Sequence, residues 1–198
     1  MTLAPIDPRA VLAAAGLPEK PEWRHVSTRR ERHEDRRVTV TRYQAGGYRL
    51  GGPHRTVVVD DNAVLLGFTD LDPFAVFPRE PPPAETLAHD VAAAFLAGTD
   101  PGYAAALTVL WIDPHSEIVT ADDGTEHKVT GMKVKTRHAG GLYAWVVVGP
   151  RGRVLTYERD VRWDPVAGRR ATQMWLHDSW IAAHDGDGPP PPPPYSRI

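Results

Sequence analysis

The chain has 198 residues, a net charge of −2 and no cysteine. That length suits one domain or two small ones, the near-balanced charge excludes a polyanion-binding surface spread over the whole chain, and the missing thiols exclude a disulfide framework, thiolate catalysis and cysteine-ligated zinc. No run approaches the ~20 apolar residues of a membrane span, and the N-terminus lacks the basic start and apolar core of a signal peptide, so a soluble, cytoplasmic protein is expected, and the Ala, Arg, Gly, Pro and Asp bias points to a GC-rich bacterial genome.

Asp7-Pro8 predicts a short helix, with Asp at the N-cap, Pro at the first helical position, Gly16 as the stop and Leu12 as the buried anchor. Arg24 to Arg37 is charge-rich but mixes Glu31, Glu34 and Asp35 among its arginines. It reads first as a solvated loop or strand edge and second as a phosphate or nucleic-acid patch. Val38 to Tyr43 alternates as a strand. Arg55 to Asp60 and Ala63 to Phe68 flank Asp61-Asn62, a hairpin signal. Phe74 to Pro83 is proline-rich and extended. Ala84 to Ala97 is the central helix, with Leu87, Val91, Ala94 and Phe95 on one face and Gly98 as its stop. Ala105 to Ile112 is an apolar strand, Asp113 to Gly124 an acidic loop, and Lys128 to Arg137 another strand.

The stretch from Leu142 to Trp180 carries Trp145, Trp163, Trp175 and Trp180. Leu142 to Val148 is aromatic and β-branched, which suits a strand. Gly149 to Gly152 reads as a hairpin turn. Arg153 to Trp163 then alternates with period two: Leu155, Tyr157, Arg159, Val161 and Trp163 on one face; Val154, Thr156, Glu158, Asp160 and Arg162 on the other, which is expected to meet water. Arg170 to His177 is expected as a strand ending in a helical turn. Pro189 to Pro194 forms a polyproline run.

Ala45 to Pro73 and Ala139 to Pro165 share an order of signals: Ala-Gly-Gly, Val-Val-Val, a tight turn, Val-Leu and a closing Asp-Pro. The fold class expected is α+β, with an antiparallel sheet built from hairpins, two related units (45–73 and 139–165), and the helix Ala84 to Ala97 packed on the sheet. One helix followed by long antiparallel strands is similar in layout alone to cystatin-like, NTF2-like and PepSY-like modules. Three parts are expected: a short helix and charged arm (1–37), one α+β domain (38–184), and a flexible proline-rich tail (185–198).

No phosphate-binding loop, dinucleotide fingerprint or nucleophile elbow is present. The residues best suited to acid–base chemistry are His177 and Asp178, with Asp178 orienting the imidazole; His138 and the Trp111 to His115 segment come next. Tyr143, Trp145, Trp163, Trp175 and Trp180 are the candidates to line a site for an apolar ligand, or simply to fill the core. No histidine spacing specifies a metal, and no cofactor is implied. The leading expectation is a non-enzymatic binding or regulatory protein acting on a protein or peptide partner through its sheet or its proline tail, with a homodimer also open. The alternative is a cavity-type isomerase, cyclase or hydrolase acting on an apolar metabolite through His177 and Asp178. A third is nucleic-acid binding through Arg24 to Arg37.

Overall fold

The computed structural model of the protein describes residues 6–73 and 80–198; residues 74–79 of the extended stretch expected from Phe74 to Pro83 lie outside them. Helix α1 (Pro8–Ala14) forms where its signals stand. The Asp7 carboxylate accepts from the Arg9 N–H at 2.9 Å. Gly16, at φ +69°, closes the helix as Leu17 N–H donates back to Leu12 O at 2.9 Å, a left-handed turn that glycine adopts without Cβ strain. Leu12 is buried.

Four strands follow as consecutive hairpins: β1 (Arg24–His33), β2 (Arg36–Gln44), β3 (His54–Asp60) and β4 (Leu65–Leu71). The charged arm is therefore an edge strand, and the sheet begins at Arg24 rather than Val38. At the β3–β4 turn Asp60 Oδ1 accepts from the Asn62 and Val64 N–H groups, both at 2.9 Å. Helices α2 (Glu85–Thr99) and α3 (Pro101–Ala105) lead to β5 (Leu107–Thr120), β6 (Glu126–His138), β7 (Tyr143–Val148) and β8 (Val154–Val161). Most of the acidic loop expected from Asp113 is strand, because pairing runs from Leu107↔His138 to Thr120↔Glu126. Pro114 is tolerated there because β5 is an outer strand, where a missing N–H breaks no ladder bond.

These eight strands form one antiparallel sheet in the order β1-β2-β3-β4-β8-β7-β6-β5. Each half is a helical segment followed by a four-stranded meander. The segments that echo each other in sequence hold β3–β4 and β7–β8, and they meet at the centre through Gly67↔Glu158, Phe68↔Tyr157 and Thr69↔Thr156.

The first face carries the main core. Val57, Val59, Phe68, Val134, Val146, Val148 and Tyr157 pack against Leu12 and against Ala88, Ala92 and Leu96 of α2. The buried stripe of α2 is turned from the expected one: Val91 and Phe95 touch the core, but Leu87 is 47% exposed. Alanines at 88 and 92 let the helix lie close to the valine-rich strands. Gly98 does not end the helix, which runs on to Thr99; Asp100 then caps α3, accepting from Tyr103 N–H at 3.0 Å.

The second face divides in two. On the N-terminal half, Val38, Val40, Val58 and Leu66 are covered by Met174, Trp175, Leu176, Trp180 and Ile181. The strand expected over Arg170 to His177 shrinks to β10 (Arg169–Arg170), paired with β9 (Trp163–Asp164). Met174, Trp175 and Leu176 instead pack as a covering segment, all three buried against Val38, Val40, Val58 and Leu66. Helix α4 (Asp178–His184) follows. Leu176 fits because Gly67 has no side chain; a Cβ there would stand 3.1 Å from Leu176 Cδ1. The end of the proline run is docked rather than free, with Pro194 O accepting from Arg170 N–H at 2.9 Å and Ser196 buried. The charged face of β8, expected in water, is also covered: Glu158 and Asp160 are buried. Among the described residues no helix is long and apolar enough to cross a membrane.

Candidate functional site

Two cross-strand rows define the second face of the C-terminal half. One runs Trp111↔Lys135↔Trp145↔Glu158↔Gly67, the other Asp113↔Lys133↔Val147↔Thr156↔Thr69. Paired residues in a ladder point to the same side, so aromatics and lysines alternate across β5, β6 and β7. The Lys133 ammonium lies 4.0 Å from the centre of the Trp145 ring. Lys135 lies 4.8 Å from the Tyr143 ring and 5.3 Å from that of Trp111. Desolvation penalises the charged amine: burial, opposed by the field of Glu158, lowers Lys133 to about 8, and burial lowers Lys135 as well. Among the described residues neither lysine has a carboxylate within ion-pair distance, nor does Arg137, two positions further along β6.

An ion network walls this face where the C-terminal segment begins. Glu158 Oε2 meets Arg170 Nη1 at 2.6 Å, and its Oε1 lies 3.1 Å from His177 Nε2. Burial alone would raise the Glu158 pKa, but Arg170 and His177 outweigh it and hold the carboxyl well below the usual carboxylate range. Glu117 follows the same pattern: burial raises it, and His115 at 2.9 Å together with the charge of His177 brings it down.

Of the candidates read from sequence, His177, Tyr143 and Trp145 come together on or beside this face. Asp178 does not orient His177. Its carboxylate receives both Arg42 nitrogens, at 2.7 and 2.8 Å, and the Gly51 N–H at 2.6 Å. It thereby clamps the start of α4 to β2 and to the β2–β3 loop, while Glu158 holds the imidazole. Trp175 and Trp180 pack edge to face at 4.8 Å in the separate cluster over the N-terminal half, and Trp163, on the short β9, is 39% exposed. The five aromatics therefore do not line one cavity. His138 stacks on Tyr103 at 4.8 Å, and among the described residues no three His, Asp or Glu side chains are grouped as metal ligands.

Lys133, Lys135, Glu158 and Arg170 belong to the site but were not among those candidates. The lysines carried a legible signal, cations at alternate strand positions flanked by aromatic strands. Glu158 carried the opposite one, an acid on a face patterned for water. Chemically, the arrangement offers an aromatic shelf with cations that have no carboxylate within ion-pair distance among the described residues, bounded by a carboxylate–imidazole pair. Comparison with family models, with curated proteins and with solved structures finds no match.

Proposed function

We propose that this is a non-catalytic binding protein that receives an acidic segment of a protein partner on the second face of β5, β6 and β7. The observation that carries the proposal is the asymmetry between the two halves. The N-terminal half has its second face covered by the chain's own residues 174–181, whereas on the corresponding face of the C-terminal half Lys133, Lys135 and Arg137 have no anionic partner among the described residues. Beside them Val109, Leu110 and Trp111 are 41, 46 and 39% exposed, an apolar patch rimmed by charge of the kind that marks interaction surfaces. If the two halves descend from one duplicated unit, as their matching hairpins suggest, a segment bound in trans would stand where the C-terminal segment stands in cis. A polyphosphate strand fits less well, because Asp113, Glu117 and Glu158 share the face. Peptide arrays test the reading. Acidic peptides with an aromatic or aliphatic anchor are expected to bind, more weakly at high salt, and Lys135→Glu is expected to abolish the preference. Equal capture of acidic and neutral peptides, or an unchanged K135E profile, overturns it.

The Glu158–His177 pair favours a second reading, a cavity-type enzyme with His177 as general base and Glu158 as its orienting carboxylate. Turnover of an apolar substrate that survives His177→Ala would end it.

A further inference from the structure

A second ligand site, independent of the peptide face, lies on the opposite side of the sheet under the α1–β1 connection. There a partly open cavity of about 160 Å³ is bounded by Leu12, Leu17, Trp23 and Tyr43 on its apolar side and by Arg9, Lys20 and Arg55, with the single acid Glu19, on its polar side. Its charges are unevenly satisfied. Lys20 is held by Asp70 at 2.6 Å and Asp72 at 2.8 Å. Arg55 donates to Asp70 and to Pro18 O, each at 2.7 Å. The Arg55 Nε–H, however, is buried with no acceptor among the described residues, in a side chain only 4% exposed. A buried donor left unmade costs its full desolvation, so a ligand acceptor has something to gain here. Arg9, its guanidinium 5.6 Å from the Tyr43 ring centre, has no carboxylate within ion-pair distance among the described residues. A cavity of ~150 Å³ accommodates one benzene ring, so the volume admits a single ring and little more.

We infer that this cavity binds a small ring-bearing carboxylate, its ring against Leu12, Leu17, Trp23 and Tyr43 and its carboxylate between Arg55 Nε and Arg9. Benzoate is the probe, benzamide its neutral counterpart of equal shape, and acetate the carboxylate without a ring. Titrated into the full-length protein and followed by the Trp23 indole N–H resonance, benzoate is expected to saturate one site. Benzamide and acetate are each expected to bind about tenfold more weakly or worse, because one loses the charge-assisted bonds and the other the apolar contact. Arg9→Gln, at an exposed position that leaves the fold intact, is expected to erase the preference for benzoate over benzamide while benzamide binding stays put. Leu17→Trp, which fills the cavity, is expected to abolish both. Benzoate binding no tighter than benzamide, shifts centred away from Trp23, or an R9Q protein that keeps the preference would each overturn the inference. So would saturation that L17W leaves intact; if L17W does not fold, the Arg9 variant decides alone. None of these results bears on peptide binding, and K135E leaves benzoate binding unchanged.

Discussion

His33 makes the protein's stability depend on pH in a window where few other groups titrate. It ends β1 and is 7% exposed, and neither ring nitrogen has a hydrogen-bond partner among the described residues. Burial, reinforced by the Arg170 cation, lowers its pKa from 6.5 to about 4. The unfolded chain therefore binds a proton between these values that the folded chain refuses, and stability falls as pH falls through the window. At ~1.36 kcal/mol per pKa unit the full penalty is about 3 kcal/mol, of which about 2 kcal/mol develops between pH 7 and 5. The carboxylates held low, Glu158, Glu117, Asp70 and Asp178, lose most of their contribution at lower pH, as pH falls from the ordinary carboxylate range toward their depressed folded values. The other contributor is His54, which burial also lowers. Urea unfolding at pH 7, 6 and 5 is the assay. Wild type is expected to lose at least about 2 kcal/mol across the range, and His33→Leu to remove about 2 kcal/mol of that loss. A His33→Leu protein whose stability drops as steeply as wild type from pH 7 to 5 refutes the reasoning.

Glu158→Gln leaves the Arg170 cation buried without its counter-ion and is expected to cost about 3–5 kcal/mol in denaturant unfolding; the double replacement Glu158→Leu with Arg170→Met is expected to cost less than that single change. Gly67→Val pushes Leu176 off the sheet and is expected to cost about 1–3 kcal/mol, with trypsin cutting after Arg169 or Arg170 sooner than in wild type. Deleting residues 185–198 strips Ser196 and Tyr195 from their seats over Met174 and His177, so a lower Tm is expected by calorimetry; a tail that merely hangs in solvent would leave Tm unchanged. Lys133→Met removes a half-desolvated charge and is expected to stabilise the protein at pH 7 by roughly 1 kcal/mol, an advantage that fades as pH rises past 8 and wild-type Lys133 deprotonates.

Where an element is decided by its own residues, it is visible in the sequence. Asp7-Pro8 and Gly16 cap α1 by bonds that span at most five positions, and Asp61-Asn62 turns β3 into β4 through the Asp60 side chain next to it. The sheet's hairpins follow from the same local chemistry, which is why α+β with an antiparallel sheet is legible in the sequence. The length of β5 could not. Asp113, His115 and Glu117 look like loop residues because one strand edge and much of one face lie open to water, and only thirteen pairings with β6 make them strand. The rotation of α2 is of the same kind: leucine at 87 is the more apolar choice, but alanines at 88 and 92 allow the closer approach, and packing against flat valine strands rewards approach.

The site was partly legible, and the reason bears on what β8 is for. Period-two patterning treats a run of Thr156, Glu158 and Asp160 as a water face, because an isolated buried charge is expensive. Each of these acids is nevertheless buried with a cation from elsewhere in the chain, Arg170 and His177 at Glu158 and Arg36 at 3.0 Å from Asp160, which its neighbour Arg159 also meets. A pattern rule cannot see partners that arrive from the first hairpin and from beyond β9. The same logic read in reverse makes the lysines of β6 informative. The chain brings distant cations to neutralise the buried acids of β8, but among the described residues no acid comes within ion-pair distance of Lys133, Lys135 or Arg137 on the neighbouring face. The fold pairs its interior charges across such sequence distances, and among the described residues the three cations of β6, beside Trp111, Tyr143 and Trp145, are the contrast on which the proposed acidic partner rests.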